Sequence, residues 1–149
     1  MSTPALVLLG AVVLLACASL GGAVYESLVL DPVWPGRPAI IQAQHGGVSR
    51  RRFWLPVHGV FEVALVAAVI VTWGHPNVRT PILIAVASHA AVRVWSLIDL
   101  DPLVVAFQKA DPAVVERAAA VRWTRRSLLR LPLDVVTCVA VLVALVAAA

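Results

Sequence analysis

Charged side chains are scarce in this sequence, since Asp, Glu, Lys and Arg together make up 13% of its 149 residues. A soluble domain carries about twice that charged fraction. Hydrophobic residues supply 61% of the chain, and its mean hydropathy is +0.93. The shortage of charge excludes a soluble globular domain and predicts a single integral membrane domain over residues 1–149.

Several other features are missing. The only cysteines, Cys17 and Cys138, form no Cys-x-x-Cys motif. We therefore expect core roles for both rather than the thiol–disulfide chemistry of small quinone-reducing membrane enzymes. Paired Glu-x-x-His motifs, which build di-iron carboxylate sites, are also absent, so no such site is expected. No basic residue precedes the first apolar segment, which is therefore not expected to be a cleavable signal peptide.

Four apolar segments are each long enough for a membrane helix, which needs about 20 residues. They cover residues 5–30, 53–73, 81–100 and 128–149. We predict an all-α fold, an antiparallel bundle of four transmembrane helices with short interfacial helices between spans three and four. Asp101-Pro102 and Asp111-Pro112 predict the starts of those short helices, because Asp caps a helix and Pro suits its first turn. Trp34 is expected at the membrane surface.

Basic residues concentrate in two of the connecting segments, whereas the loop between spans two and three has only Arg79. The first segment contains Arg37, Arg50, Arg51 and Arg52, and the second contains Lys109, Arg117, Arg122, Arg125 and Arg126. The positive-inside rule therefore predicts a multi-pass protein of the plasma (inner) membrane with both termini outside. The net charge of +4 is expected to meet anionic lipid in the bilayer, and no nucleic-acid partner is predicted.

Polar side chains within the spans fall in the predicted cytoplasmic half. His58 and Glu62 are four residues apart, as are His89 and Arg93, so each pair shares one helix face. Charged groups are costly in hydrocarbon and predict a functional site. The predicted catalytic residues are Glu26, His58, Glu62, His89, Arg93 and Asp134, with Tyr25, Trp54 and Arg130 as substrate-binding residues. A purely structural role for these groups remains the alternative.

This set of residues suits general acid–base chemistry on a lipophilic small molecule. A glutamate shielded from water can accept a proton, an arginine can hold the resulting oxyanion, and a histidine can transfer the proton. An oxidoreductase or oxygenase is the first hypothesis, with an isomerase or cyclase also open. The cofactor is unknown: the reaction needs none, or uses haem, or uses one metal ion held by His58, Glu62 and His89.

Residues Gly22 to Trp34 follow the pattern G-x-x-Y-E-x-x-V-x-x-P-x-W, and Arg52-Phe53-Trp54 opens the second span. With the four-span layout, these motifs resemble small four-helix membrane proteins grouped with anthrone oxygenase. The resemblance implies cofactor-independent oxidation of a polycyclic phenol to a quinone, within a wider expectation of an aromatic or isoprenoid substrate. The alternative is a non-catalytic membrane subunit or carrier that binds a lipophilic ligand, haem or metal. Assembly as a homo-oligomer stays open.

Overall fold

The computed structural model describes all residues from 1 to 149, and its regular structure is helical throughout. Four helical stretches are long and apolar enough to cross a membrane, namely Thr3–Leu30, Arg51–Thr72, Pro76–Lys109 and Arg117–Ala148. The prediction of an all-α protein with four candidate membrane spans is confirmed at this level. The first, third and fourth stretches have 28, 34 and 32 residues and are clearly longer than the ~20 residues that a bilayer core requires.

Six α-helices make up these stretches. They are α1 (Thr3–Tyr25), α2 (Arg51–Thr72), α3 (Pro76–Trp95), α4 (Asp101–Lys109), α5 (Arg117–Leu128) and α6 (Leu131–Ala148). A π-helical turn, Glu26–Leu30, prolongs α1, and a second one, Ser96–Leu100, joins α3 to α4. Three short 3-10 turns, Trp34–Gly36, Pro38–Ile41 and Ala43–His45, fill most of the connection between α1 and α2.

The observed helix bounds differ from the predicted spans mainly at polar ends. The third helix begins at Pro76 rather than residue 81, because proline is well suited to the first turn, where its missing N–H is not needed. Its first turn contains Asn77 and Arg79, which an estimate based on apolar runs leaves out. The helix predicted after Pro102 is present as α4. The helix start predicted at Pro112 is wrong, because a 3-10 turn, Pro112–Val114, forms there and α5 begins only at Arg117 before it leads almost directly into α6.

The core of the bundle lies between α1, α2, α3 and α6. The helix α1 packs against α2 and α6, and α3 packs against the same two helices. Alanines at the contacts, among them Ala68, Ala85 and Ala144, have no exposed surface and allow the helix backbones to approach closely. Large apolar side chains such as Leu14 and Val146 remain exposed around the bundle, as expected for a surface that faces lipid hydrocarbon.

A second, smaller core lies outside the bundle, and we call it the cap. Its buried residues are Trp34, Ile41, Leu100, Val104, Ala120 and Trp123. The Trp34 ring lies 5.6 Å from the Phe107 ring and 5.7 Å from the Trp123 ring, measured between centroids. Trp34 is fully buried in the cap and is therefore not an exposed anchor, and its position at the membrane surface stays a prediction.

Hydrogen bonds and a close backbone approach fix the connection between α1 and α2 within the cap. Gln42 Nε2 donates to the carbonyl oxygens of Phe107 (2.7 Å) and Ala110 (2.9 Å), which lie at the end of α4. Gly47 then passes so close to the same connection that a Cβ atom would lie 2.1 Å from the carbonyl oxygen of Ala39. Only glycine fits there without movement of the backbone.

Gly47→Ala should therefore destabilise the protein, by about 1–3 kcal/mol if the cost resembles that of other overpacked sites. Gly36→Ala is the matched control, because a Cβ atom at Gly36 meets nothing within 4 Å. Thermal unfolding in detergent would measure both changes. Equal melting temperatures for the two variants would contradict the described path of this connection.

Candidate functional site

The carboxylate of Glu26 accepts hydrogen bonds from two side chains at the start of the second span. Arg50 donates from Nε to Oε1 at 2.7 Å and from Nη2 to Oε2, and Trp54 Nε1 donates to Oε1 at 2.8 Å. The side chains of Glu26 and Arg50 are 13% and 9% exposed. The guanidinium of Arg50 also lies 4.9 Å from the centre of the Trp123 ring in the cap. This bidentate pair joins the end of the first span to the start of the second.

A small cavity adjoins this ion pair and contains four of the predicted residues. Glu26, Trp54, Arg130 and Asp134 line it together with Ala23, Ser27, Asp31, Ser127 and Leu131. Its volume of about 20 Å³ is enough for one water molecule and far below the ~300 Å³ of a small ligand pocket. Arg130 donates to the hydroxyl oxygens of Ser96 and Ser127, both at 2.6 Å. These four residues meet, but the space between them does not hold a substrate.

Asp31 is a wall of this cavity that the sequence analysis did not identify. It follows the last residue of the first span, and its Oδ1 accepts a hydrogen bond from Trp34 Nε1 at 3.0 Å. Burial raises the pKa of Asp31 to about 6, against the opposing effects of the Arg50 charge and the Trp34 hydrogen bond.

The other predicted charged groups form a separate cluster between α2 and α3, which we call the seam cluster. It consists of His58, Glu62, His89 and Arg93. Arg93 Nε donates to Glu62 Oε1 at 2.7 Å. His89 Nε2 lies 3.6 Å from the same oxygen, and this buried nitrogen has no hydrogen-bond partner. A small movement of either side chain would let His89 and Glu62 share a proton.

The side chain of Glu62 is more exposed than that of Glu26. Its side chain is 45% exposed, and the partner Arg93 is 26% exposed. The Arg93 contact uses Oε1, whereas no hydrogen bond within the chain reaches Glu62 Oε2 or leaves the Nη atoms of Arg93. A carboxylate oxygen and guanidinium N–H groups without partners therefore lie close together on the partly exposed surface of the second and third candidate spans.

A row of aromatic rings connects the two clusters. Trp54, which is hydrogen-bonded to Glu26, stacks on His58 with 5.0 Å between ring centroids and 27° between planes. The His58 ring then lies 5.7 Å from the His89 ring, and Phe61 packs edge-on against His89 at 4.8 Å. The position of His89 near Glu62 therefore depends on side chains that extend back to the Glu26–Arg50 pair.

Two parts of the predicted site are not assembled. Tyr25 is 61% exposed and does not line the small cavity. No three His, Cys, Asp or Glu side chains come together as a metal-binding group, so the set His58, Glu62 and His89 does not surround a common point. A metal site made from those three residues is therefore not supported.

The two cysteines are neighbours in space. Cys17 Sγ on α1 and Cys138 Sγ on α6 are 3.6 Å apart, and both are free thiols. The absence of a Cys-x-x-Cys motif excluded only two cysteines that are close in sequence. Cys17 and Cys138 are far apart in sequence and come together because α1 packs against α6.

The residue that the sequence analysis missed most clearly is Arg50, which it treated only as one of four basic residues in the first connecting segment. A usable signal was present, because Arg50, Trp54, His58 and Glu62 follow one another at four-residue steps. Such a series marks neighbouring positions on a helix surface. It distinguishes Arg50 from Arg51 and Arg52, whose side chains are exposed.

Comparisons with known proteins gave no match, either to a family model, to a curated protein or to a solved structure. The resemblance to the anthrone-oxygenase group stays a prediction from the quoted motifs.

Arg50→Met should strongly destabilise the protein, because it leaves the enclosed Glu26 carboxylate without its charged partner. Breaking one side of a buried ion pair costs about 3–5 kcal/mol. Arg51→Met, which removes the same charge from an exposed neighbour, is the control and should have little effect. Unfolding in detergent at neutral pH measures both, and a loss for Arg50→Met no larger than for Arg51→Met would contradict the structural role of the pair.

Proposed function

We propose that the protein is a membrane-embedded enzyme that performs acid–base chemistry on a lipophilic molecule at the seam cluster. The observation that carries this proposal is the pairing of Glu62 with Arg93. Each has unused hydrogen-bonding atoms, and both are partly exposed within spans that are otherwise apolar. A substrate dissolved in the bilayer can reach them sideways, without passing through the small cavity near Glu26.

The geometry supports a separate role for each member of the seam cluster. Glu62 Oε2 is free to accept a proton from a carbon acid or a phenol. The Nη groups of Arg93 can hold the oxyanion that forms when the proton leaves. His89, whose Nε2 has no partner and lies 3.6 Å from Glu62, can take the proton onward, and His58 lies next to it.

In this proposal, the residues around Glu26 position the seam cluster and do not contact the substrate. The Glu26 carboxylate already accepts three hydrogen bonds, and its cavity has room for one water molecule. We therefore assign Glu26, Arg50 and Trp54 to positioning of His58 rather than to contact with the substrate. Arg130 and Asp134 belong to the same supporting group.

The resemblance to the anthrone-oxygenase group suggests the reaction within this class. Anthrone would lose a proton from its acidic methylene carbon to Glu62, and its oxygen would be held as an oxyanion by Arg93. The resulting carbanion is oxidised by dioxygen, so that anthrone and O₂ give anthraquinone and water. The proton transfer is the step that the chain's own residues perform, and dioxygen is the oxidant.

We also propose a topology for the bundle. Most of the arginines lie on the segments that build the cap, which are the connection between α1 and α2 and the stretch from α4 to α5, whereas the turn between α2 and α3 has only Arg79. This imbalance supports a plasma-membrane protein with the cap in the cytoplasm and both termini outside. The N-terminal amine lies 3.4 Å from the carbonyl oxygen of Ala148, which supports antiparallel packing of α1 and α6. The helices α4 and α5 would then lie at the cytoplasmic interface.

A non-catalytic subunit or carrier is the second candidate function. It is favoured by one observation, which is that Glu62 and Arg93 already neutralise each other across two helices. An interhelical ion pair of this kind can hold α2 against α3 without taking part in any reaction. The two candidates differ in what the loss of the Glu62 charge would do.

Glu62→Gln should abolish proton abstraction while the protein stays folded, because the amide keeps the side-chain shape but is not a base. The assay uses anthrone in proteoliposomes with deuterated water, and it measures deuterium uptake at the methylene carbon together with oxygen consumption. Glu26→Gln is the matched control. It should lower the melting temperature, and its rate per folded molecule should fall much less than the rate of Glu62→Gln.

Wild-type protein that exchanges neither anthrone nor other carbon acids of similar acidity would contradict the enzyme proposal. If Glu62→Gln instead lowers the melting temperature and leaves exchange unchanged, Glu62 is a structural residue. Exchange without oxygen consumption would keep the acid–base site and exclude the oxygenase reaction.

A further inference from the structure

A cleft of about 630 Å³ opens at the surface of the cap. Asp31 and Arg37, which follow the end of the first span, form one wall. Residues of α5 form the other wall, namely Arg117, Val121, Thr124 and Arg125. These four positions lie on one side of α5, because Arg117, Val121 and Arg125 follow one another at steps of four residues and Thr124 is three residues after Val121. The cleft is therefore made by two defined elements.

Three arginines outside this cleft already have a carboxylate partner. Arg50, Arg93 and Arg126 each bind a carboxylate of the chain. In contrast, no hydrogen bond or ion pair within the chain involves the guanidinium groups of Arg37, Arg117 or Arg125, which belong to exposed residues. Three positive groups thus face one cleft without partners.

The only acidic residue in the cleft does not neutralise these arginines. Asp31 is buried, and its Oδ1 accepts a hydrogen bond from Trp34 Nε1. Trp34 is itself held between Phe107 and Trp123. This packing keeps the Asp31 carboxylate turned toward the cap core, and no ion pair joins it to Arg37, Arg117 or Arg125.

The position of the cleft points to the membrane surface. Asp31 directly follows Leu30, the end of the first candidate span, and α5 leads into α6, the apolar part of the fourth. Val121 and the neighbouring prolines add an apolar side to the cleft. A volume within the ~300–1,000 Å³ of ligand pockets exceeds what a bare phosphate ion needs.

From these observations we infer that the cleft binds the phosphate group of an anionic membrane lipid. The guanidinium of arginine matches two phosphate oxygens at once, which makes it well suited to this group. The apolar side of the cleft would contact the glycerol part of the lipid. This inference does not depend on the reaction proposed for Glu62, since none of the seam-cluster residues lines the cleft.

Native mass spectrometry of the detergent-purified protein, titrated with phosphatidic acid, tests the inference. The titration is made at 1 M ammonium acetate, where the Debye length is about 3 Å and general attraction to basic surfaces is screened. We expect one tightly bound phosphatidic acid and much weaker binding of phosphatidylcholine. Arg37→Gln, Arg117→Gln and Arg125→Gln should each weaken binding about tenfold, the usual loss for a hydrogen bond to a charged group.

The matched control is Arg122→Gln, which removes the same charge from an exposed position of the same helix but does not line the cleft. Its affinity should be unchanged. Asp31→Asn should act in the opposite direction and tighten binding, because it removes the one negative charge in the cleft. The four arginine variants should keep the wild-type melting temperature to within a few degrees, because these arginines are exposed. Asp31→Asn can shift the melting temperature, because Asp31 is buried.

An equal loss of affinity for Arg122→Gln, or equal binding of phosphatidylcholine, would overturn the inference. Inorganic phosphate is added as a competitor to identify the source of the phosphate group. Displacement of the lipid by inorganic phosphate at similar concentration would assign the cleft to a free phosphate and overturn lipid as its ligand.

Discussion

The ion pair between Glu26 and Arg50 is the contact on which the rest of the described arrangement depends. It joins the end of the first span to the start of the second, and its enclosed charges are stable only together. Trp54 takes its orientation from the same carboxylate, and His58 stacks on Trp54. The Arg50 guanidinium also lies against Trp123, which connects the pair to the aromatic core of the cap. The bundle and the cap are thus held together at one carboxylate.

The geometry of α2 explains why the polar residues form two groups rather than one pocket. A step of four residues turns about 40° beyond a full helical turn, so the three steps from Arg50 to Glu62 turn by roughly 120°. Arg50 therefore faces Glu26 on the first span, whereas Glu62 faces Arg93 on the third. His58 lies between them in both height and direction. One helix thus contributes to a buried ion pair at one level and to a more exposed ion pair at another.

Sequence reasoning predicted the features that depend on composition and local spacing. The four spans follow from long apolar runs, and the pairing of polar groups on one helix face follows from the spacing of His58 and Glu62. It did not predict contacts between distant segments, such as Trp34 with Trp123 or Cys17 with Cys138. Apolar patterning predicts that a side chain is removed from water, but it does not say where. A tryptophan suits both a membrane surface and a buried core, so its partners could not be predicted. Likewise, one shared site was predicted because the polar residues fall in the same half of the spans, but position along a helix does not give the direction in which a side chain points.

Reaction with dicyclohexylcarbodiimide tests the central claim most directly. This lipophilic reagent modifies protonated carboxyl groups that it can reach from the membrane, and peptide mass spectrometry identifies the modified residue. An acid–base site open to the bilayer predicts modification of Glu62, with slower modification when a lipophilic substrate is present, and no modification of Glu26 in its closed ion pair. Modification of Glu26 while Glu62 stays unreacted would contradict the account.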